Sequence, residues 1–360
     1  MRLHVNQRHE RVLEIVRRRG TLRVAELAEE LGVSAVTVRR DVETLAEQGR
    51  LTRLHGSVSW PRDAGARATA APGGGAAGPV LGMIVPSLQH YFAELVHGAQ
   101  QAVAACGGRL VLGIAHYRPE EDTAQIERML DARVDGLLLM PSWELGLPSP
   151  EQERQLLDMP VPVVLVDRRI PPGGRLAELD SVRSDHVLGA AAAVHHLASL
   201  GHTRIALCSQ DNPTSPQVRE GYHAAMAALG AAEPAGVEIE DLPGPRALDD
   251  AAERLRRLVR EDGVTAAVLH NDQMAIDVVQ RLRELGLDLP RELSLVAYED
   301  EMAALAHVPL TAVAPPRRAV GEAAVSLMRR RLSAAGDGGK AARHVTLVPS
   351  VSVRESCLAR

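Results

Sequence analysis

Apolar positions in this chain follow two different rhythms, one before residue 60 and one after residue 79. The first rhythm is helical. Val12, Leu13, Ile15 and Val16 make one stripe that ends at Gly20. Val24, Leu27, Ala28 and Leu31 make a second, with Thr21 as its expected N-cap. Val38, Val42 and Leu45 make a third. Gly32 supplies the turn between the second and third stripes. Ser34 stands where a hydroxyl accepts from the free amides of a first turn, and Gly49 closes the helix in a left-handed cap. The stretch "GRLTRLHGSVSW" then alternates, with Leu51, Arg53 and His55 against Thr52 and Leu54, and turns at Gly56. Three helices and a two-stranded wing in about sixty residues predict a winged helix-turn-helix.

The second rhythm is one of apolar runs between amphipathic helices. "PVLGMIV", "RLVLGIA", "DGLLLMP" and "VPVVLVD" read as buried strands. After a helix over 186–200 the grammar resumes with "TRIALCS", "AGVEIED", "VTAAVLHND" and "ELSLVAYED". Near-continuous apolar strands separated by helices imply parallel sheets covered on both faces. Two doubly wound α/β halves in succession predict two lobes with a cleft between them. Residues 61–79, "PRDAGARATAAPGGGAAGP", have almost no apolar bulk and read as a flexible linker. The expected division is 1–60, a 61–79 linker, and 80–360.

Charge sharpens this division. Twelve Arg against eight Asp and Glu give residues 1–62 a formal charge of +4, so the rest carries −9 of the total −5. A positive small domain on an acidic body fits a nucleic-acid reader joined to something else. No run reaches the length of a membrane span, and "MRLHVNQRHE" lacks the apolar core of a signal peptide. These features predict a cytoplasmic protein with no membrane partner. Cys106, Cys208 and Cys357 are an odd, widely spaced set, expected as reduced thiols and not as metal ligands or disulfides. The adjacent His195 and His196 point different ways on a helix and are expected to be structural. The run "GGGAAG" lacks the GK[ST] ending of a phosphate loop. No metal or cofactor is expected.

The third helix carries Thr37, Arg39 and Arg40 near its N-terminal tip, opposite the buried stripe. Such a tip suits a major groove, because the helix end donates to phosphate and arginine pairs bidentately with guanine. Ser34 and Thr37 would orient the tip, and Arg53 and His55 would contact DNA from the wing. A solvated arginine pair is the plain alternative for that helix alone; its flanks decide against it. Residues 8–56, "RHERVLEIVRRRGTLRVAELAEELGVSAVTVRRDVETLAEQGRLTRLHG", resemble the DNA-binding domain of the DeoR (deoxyribose-operon repressor) type. Val33-Ser34, Thr37 and Arg39-Arg40-Asp41 match its signature, while "SVSW" departs from the small residues that usually follow the wing glycine.

In doubly wound sheets ligands bind outside the carboxyl ends of the strands. Those ends carry "PSLQHYF", "HYR", "PSWE" and "DRR" in the first half and "SQD", "HND" and "YED" in the second. Aromatic residues total only seven: four Tyr, two Trp and one Phe. Tyr91, Phe92, Tyr117, Trp143, Tyr222 and Tyr298 lie at strand ends or neighbouring helix starts. Rings beside Asp167, Arg168, Arg219, Asn271, Asp272 and Glu299 suit a small polyhydroxylated ligand. Asp272 is also a good cap for the helix that follows it, and Asp167 and Arg168 are close enough in sequence to pair.

These stretches carry a second resemblance. "VDGLLLMPS", "VPVVLVDRR", "SDHVLGAAAAVHHLASLGHTRIAL", "VREGYHAAM", "AAVLHNDQMAI", "LPRELSLVAYED" and "PLTAVAPPRRAVGEAAVSLM" fall in the order of the effector domain of the lactose/galactose repressor family. That family is similar to periplasmic sugar-binding proteins. The resemblance implies that Asp167, Arg219, Asn271, Asp272 and Glu299 contact an effector, with Ser87, Tyr91, Phe92 and His116 at more variable cleft positions. Glu299 stands where the family usually has aspartate, and Ala297 where it has glycine. The expected function is a DNA-binding regulator, a repressor, controlled by a sugar-like effector. It is expected to bind double-stranded operator DNA as a homodimer and not to be an enzyme. The alternative weighed is a carbohydrate-active enzyme, a kinase or isomerase, fused to a DNA-binding domain; an exported sugar-binding protein is opposed by both ends of the argument above.

Overall fold

The computed structural model describes residues 11–12, 15–16, 21–31, 33–34, 37–38, 40–42, 45, 52–54 and 57–59, and then 78–88, 90–143, 147–171, 173–231, 237–239, 245–333 and 341–360. The chain divides into two units, Met1–Gly74 and Gly75–Arg360.

In the first unit Val12, Ile15 and Val16 pack with Val24, Leu27 and Ala28 of α1 (Val24–Leu31) and with Val38, Val42 and Leu45. All three stripes are therefore one core. The strands β1 (Thr21–Arg23), β2 (Thr52–Leu54) and β3 (Ser57–Ser59) form one sheet in the order β1-β3-β2, antiparallel throughout. The expected wing is thus present as β2 and β3, with a third strand added. Thr21 lies in that strand and not at a helix cap, because Thr21–Arg23 pairs its backbone with Ser57–Ser59. Ser34 does cap: its Oγ accepts from the Thr37 amide at 3.2 Å and lies 2.8 Å from the Thr37 hydroxyl.

The second unit has two six-stranded sheets. The first runs β14-β8-β7-β6-β4-β5, all parallel: β4 (Val80–Val85), β5 (Arg109–Ile114), β6 (Gly136–Leu139), β7 (Val163–Val166), β8 (Asp180–Ser184) and β14 (His344–Leu347). Its helices are α2 (His90–Ala105), α3 (Pro119–Asp131) and α4 (Pro150–Leu157). Then come α5 (His186–Ser199), α6 (Ser215–Ala228), α7 (Pro245–Glu261), α8 (Asp272–Glu284) and α9 (Arg317–Leu332). The second sheet runs β10-β9-β11-β12-β13-β15, from β9 (Ile205–Gln210), β10 (Val237–Ile239), β11 (Ala266–His270), β12 (Ser294–Tyr298), β13 (Thr311–Ala314) and β15 (Ser350–Ser352), with only β15 antiparallel.

Side chains alternate through each sheet, so each lobe has a core on both faces. In the first lobe Leu81, Met83, Val164 and Val182 face α2 and α9, while Ile84, Leu137 and Leu165 pack with Ile126, Met129 and Leu156 on the other side. In the second, Leu207, Val268 and Val296 face α5 and α6, and Ala206, Leu269 and Leu295 face α7 and α8.

The lobes are not two simple halves in succession. The chain passes to the second lobe between β8 and α5, returns between β13 and α9, and passes again between β14 and β15. The helix α9 covers the first sheet, although it follows the last parallel strand of the second. It meets α2 backbone to backbone: a Cβ on Gly321 would run into the carbonyl oxygen of Leu95, and one on Gly98 into that of Arg318. Gly221 plays the same part against Val187 where α6 meets α5. Three short crossovers connect the lobes, and the carboxyl ends of both sheets meet at the space between them.

Candidate functional site

A cavity of about 470 Å³ lies between the lobes, at the strand ends. The first lobe supplies Ser87, Tyr91, Phe92, Tyr117, Asp167 and Arg168. The second supplies Gln210, Asn212, Pro213, Thr214, Asn271, Asp272, Gln273, Glu299, Glu301 and Met302. Several of these residues hold backbone angles that L-residues rarely adopt: Tyr117 (φ 57°) and its neighbour His116 (φ 53°) after β5, Asp167 (φ 51°) after β7, and Glu299 (φ 102°) and Asp300 (φ 53°) after β12. Strain of this kind persists where surrounding structure over-determines it, and here it gathers around one cavity.

Asp167 ties the first lobe to the hinge. Its Oδ2 accepts from the Tyr91 hydroxyl at 2.8 Å, and its Oδ1 accepts from the Ser184 amide at 3.3 Å at the first crossover. Nε2 of His186, the first residue of α5, lies 4.0 Å from Oδ1. Nδ1 of His186 is 3.2 Å from the Tyr298 hydroxyl. Burial pulls the His186 imidazole below its ordinary pKa against the pull of Asp167, and burial together with His186 and Arg219 drives His270 down to about 3. Both rings are neutral near pH 7. Burial, and then Asp167, pushes the Tyr91 hydroxyl well above the usual phenol range, so it donates as a neutral group.

The second lobe is acidic. Asp272 is 2% exposed; its Oδ2 accepts from the amides of Glu301, Met302 and Ala303 at 2.5, 2.9 and 3.2 Å, while its buried Oδ1 has no hydrogen-bond partner among the described residues. Burial raises its pKa against these three bonds. Burial, and then the carboxylates of Glu301 and Asp272, pushes Glu299 up to about 8, so near neutral pH this acid offers a donor as well as an acceptor. Glu301 is held by Arg317 at 2.7 Å, and the Arg317 guanidinium lies 5.5 Å from the centre of the Tyr91 ring. That set joins the second lobe to the first across the second crossover. Arg169 and Glu220 join them again at 2.5 Å on the outside.

Seven of the nine cleft residues expected from sequence stand on the cavity wall: Ser87, Tyr91, Phe92, Asp167, Asn271, Asp272 and Glu299. Two do not. His116 is exposed; of the two consecutive left-handed residues it is Tyr117 that lines the cavity. Arg219 pairs with Asp211 at 2.7 Å, and its neighbour Val218 fills the core position of that helical turn. The cation of the wall is Arg168 instead, whose Nε and Nη1 donate to the carbonyls of Pro141 at 2.6 Å and Asp167 at 2.9 Å. It does not pair with the Asp167 carboxylate in the way its sequence position allowed.

Asn271, not Asp272, caps α8, accepting from the Met274 amide at 3.2 Å. Tyr222 and Tyr298 are core residues, 2% and 0% exposed, with the Tyr222 hydroxyl donating to the Ile205 carbonyl at 2.6 Å. Asn212, Thr214, Gln273 and Glu301 stand on the wall beyond the strand-end runs read from the sequence, and Gln210 is within the run "SQD". The first four lie within a few residues of a strand end, so extending the polar runs there would have found them.

On the small unit, Ser34, Thr37 and Arg40 lie at the start of the third helix, with Ser34 and Arg40 exposed and Thr37 partly so. Arg39, His55 and Gly49 lie outside the described residues, as does the 61–77 stretch, and for Arg53 only the backbone in β2 is described. Among the described residues no helix is long and apolar enough to cross a membrane.

Residues 8–63 match the model of the DeoR-like helix-turn-helix domain, and residues 194–357 match that of the periplasmic binding protein-like domain. The ribose operon repressor of Escherichia coli is 30% identical over 258 residues, covering 70% of this chain and 75% of the repressor. The transcriptional repressor PurR of Haemophilus influenzae is 29% identical over 289 residues, covering 77% and 80%. A solved LacI family regulator from Mycobacterium smegmatis is 28% identical with a TM-score of 0.62, over 77% of this chain and 99% of that one. With a DeoR-like helix-turn-helix followed in sequence by a two-lobed domain, the chain belongs to the LacI family of DNA-binding transcriptional regulators.

Proposed function

We propose that this repressor takes a small, polyhydroxylated effector between its lobes and acts on its operator as a homodimer. The observation that carries the effector class is the mixed wall of the cavity. Tyr91, Phe92 and Tyr117 offer ring faces for the CH face of a sugar, and Asp272, Glu299 and Asn271 offer acceptors and donors for its hydroxyls. The unsatisfied Asp272 Oδ1 is a buried acceptor waiting for such a donor. A ligand that touches both lobes binds their closed arrangement best, so it shifts that population by its differential affinity. One relative, similar over 258 residues, is named as the repressor of a ribose operon.

In this proposal residues 1–60 read DNA, 61–79 link, and 80–360 sense and dimerise. One winged helix reaches few base pairs, and paired half-sites supply the missing specificity. The test has two stages. Thermal shift with sugars and sugar derivatives identifies a ligand, and operator affinity is then measured with and without it at fixed salt. Coupling of about 1–3 kcal/mol, some 5- to 150-fold in affinity, is expected. A tightly held ligand that leaves operator affinity unchanged refutes the regulatory link. Sedimentation showing monomers with and without DNA refutes the dimer.

A further inference from the structure

The large unit carries its positive charge unevenly. Residues 63–360 sum to −9, yet 329–344 hold four Arg and one Lys against one Asp, a charge of +4 in a short stretch. The fold gathers this charge at one place. α9 starts at the second crossover and runs to the amino edge of the first sheet, away from the cleft, where its last turn carries Arg329, Arg330 and Arg331. Arg343 comes beside them just before β14.

Asp180, the first residue of β8, organises the group. It is 0% exposed. Nη2 of Arg330 donates to its two oxygens at 2.7 and 2.8 Å, Nε of Arg331 donates to Oδ2 at 2.7 Å, and the backbone amide of Arg343 donates to Oδ1 at 2.6 Å. One buried carboxylate and the negative end of α9 account for Arg330 and Arg331. They do not account for Arg329 and Arg343, which are exposed and whose side chains have no acidic partner among the described residues. Two open guanidinium groups beside two anchored ones suit phosphate oxygens, which accept from arginine in pairs. The anchoring also lowers the ordering cost of a contact made there.

The same edge is where the chain enters the large unit. A Cβ on Gly78 would meet the backbone of Gly107 and Gly108, and the Pro79 carbonyl accepts from the Arg109 amide at 2.9 Å. β4 then begins at Val80, three strand spacings from β8, roughly 14 Å. Gly78 is only nineteen positions from Ser59, the end of β3 in the small unit. A chain of that length spans at most about 65 Å. DNA held by the small unit therefore stays within that distance of Gly78, at an effective concentration on the order of millimolar. A contact too weak to hold free DNA counts under those conditions.

We propose that this arginine edge of the first lobe binds the phosphate backbone of the DNA that the small unit reads. Arg329 and Arg343 make the contacts, and Arg330 and Arg331, fixed on Asp180, set the surface around them. Phosphate contacts carry no base information, so the edge raises affinity for operator and non-operator DNA alike. It needs no effector and is independent of what the cleft binds.

The test uses the full chain and two duplexes: an operator selected by the wild-type chain from random-sequence DNA, and a duplex of equal length and scrambled sequence. Affinity for each is measured across a salt series. The alanine pair Arg329→Ala and Arg343→Ala should flatten the slope of log affinity against log salt by about 1–2, and weaken both duplexes about five- to twentyfold at about 0.1 M salt. The lysine pair, Arg329→Lys and Arg343→Lys, should stay within about twofold of wild type, because the charge is kept. Neither side chain holds Asp180, so the substitutions leave its buried bonds in place. Arg257→Ala with Arg291→Ala, at exposed positions of the second lobe, makes the same change in net charge and should alter affinity by less than about twofold. Unchanged slope and affinity in the alanine pair, and again in the pair Arg329→Glu and Arg343→Glu, overturns the proposal. So does an equal loss in the second-lobe pair, which would make the effect one of net charge alone, and so does a loss confined to the operator. Failure of the wild-type chain to bind either duplex overturns DNA reading by the small unit and this proposal together.

Discussion

Replacing Glu299 by glutamine should make the protein more stable above neutral pH and leave it unchanged in mild acid. Glu299 follows β12 on the cavity wall, with the Glu301 and Asp272 carboxylates as its electrostatic neighbours and Arg317 only partly offsetting them. Its pKa rises from 4.5 to about 8. The folded protein therefore holds this proton more tightly than the unfolded chain does. Stability associated with Glu299 is fully present below about pH 4.5, falls as pH rises from there toward 8, and is constant above it.

At 1.36 kcal/mol per unit the ceiling is roughly 5 kcal/mol. The cavity is open to water, which solvates part of the charge, so about 2–3 kcal/mol is the expected size. Glutamine keeps the shape, the polar contacts and the same strained backbone, and it does not titrate. Urea unfolding followed by tryptophan emission at pH 5, 7 and 9 reads the difference between the two proteins, in which titrating groups remote from Glu299 cancel. The variant should match wild type at pH 5, gain most of the difference by pH 8, and gain no more by pH 9. A difference that is the same at pH 5 and 9, or a variant less stable at pH 9, would refute the claim that Glu299 carries this buried charge.

Four further outcomes are expected. Gly321→Ala should destabilise the large unit by about 1–3 kcal/mol in urea unfolding, because its methyl group would meet the Leu95 carbonyl where α9 crosses α2; a neutral effect would show that the helices can part freely. Asp272→Ala should lower stability by about 2–4 kcal/mol even without ligand, because three amides at residues 301–303 lose their acceptor; unchanged unfolding would show that those amides find other partners. Ser34→Ala should cost the small unit about 1 kcal/mol through loss of the cap on the Thr37 amide. Arg40→Ala, at an exposed position on the same helix, should weaken operator binding and flatten its salt dependence by about one ion; a thermal scan and an operator titration at several salt concentrations check the pair.

The parts legible in the sequence are those in which a local pattern has one physical outcome. The stripes at Val12, Val24 and Val38 could be buried only by packing on one another, and they form one core. The apolar runs at 80–85 and 266–270 could satisfy their backbones only in covered parallel sheets. Strand ends with Asp167, Asn271 and Glu299 followed from where such sheets bind ligands. What was not legible depends on partners distant in sequence. Thr21 looks like a cap until Ser57–Ser59 claims its backbone, and α9 looks like a helix of the second lobe until Gly321 and Gly98 bring it against α2. Arg219 and Arg168 show the same limit at the site. Both are arginines near a strand end or helix start, and only the fold gives one to Asp211 and the other to the cavity wall.

The crossovers explain why site and hinge coincide in this molecule. Asp167 accepts from Ser184 at the first crossover while it accepts from Tyr91, and Arg317 begins α9 at the second while it holds Glu301 beside the same tyrosine. A ligand that contacts Tyr91 therefore rests on a residue whose own partners, Asp167 and Arg317, reach the joints between the lobes. On the proposed function, lobe movement and ligand contact involve the same few side chains, and effector affinity would follow lobe angle without a separate relay. Tyr91→Phe, which removes only the hydroxyl donated to Asp167, should therefore change the ligand's effect on operator affinity more than it changes ligand affinity itself.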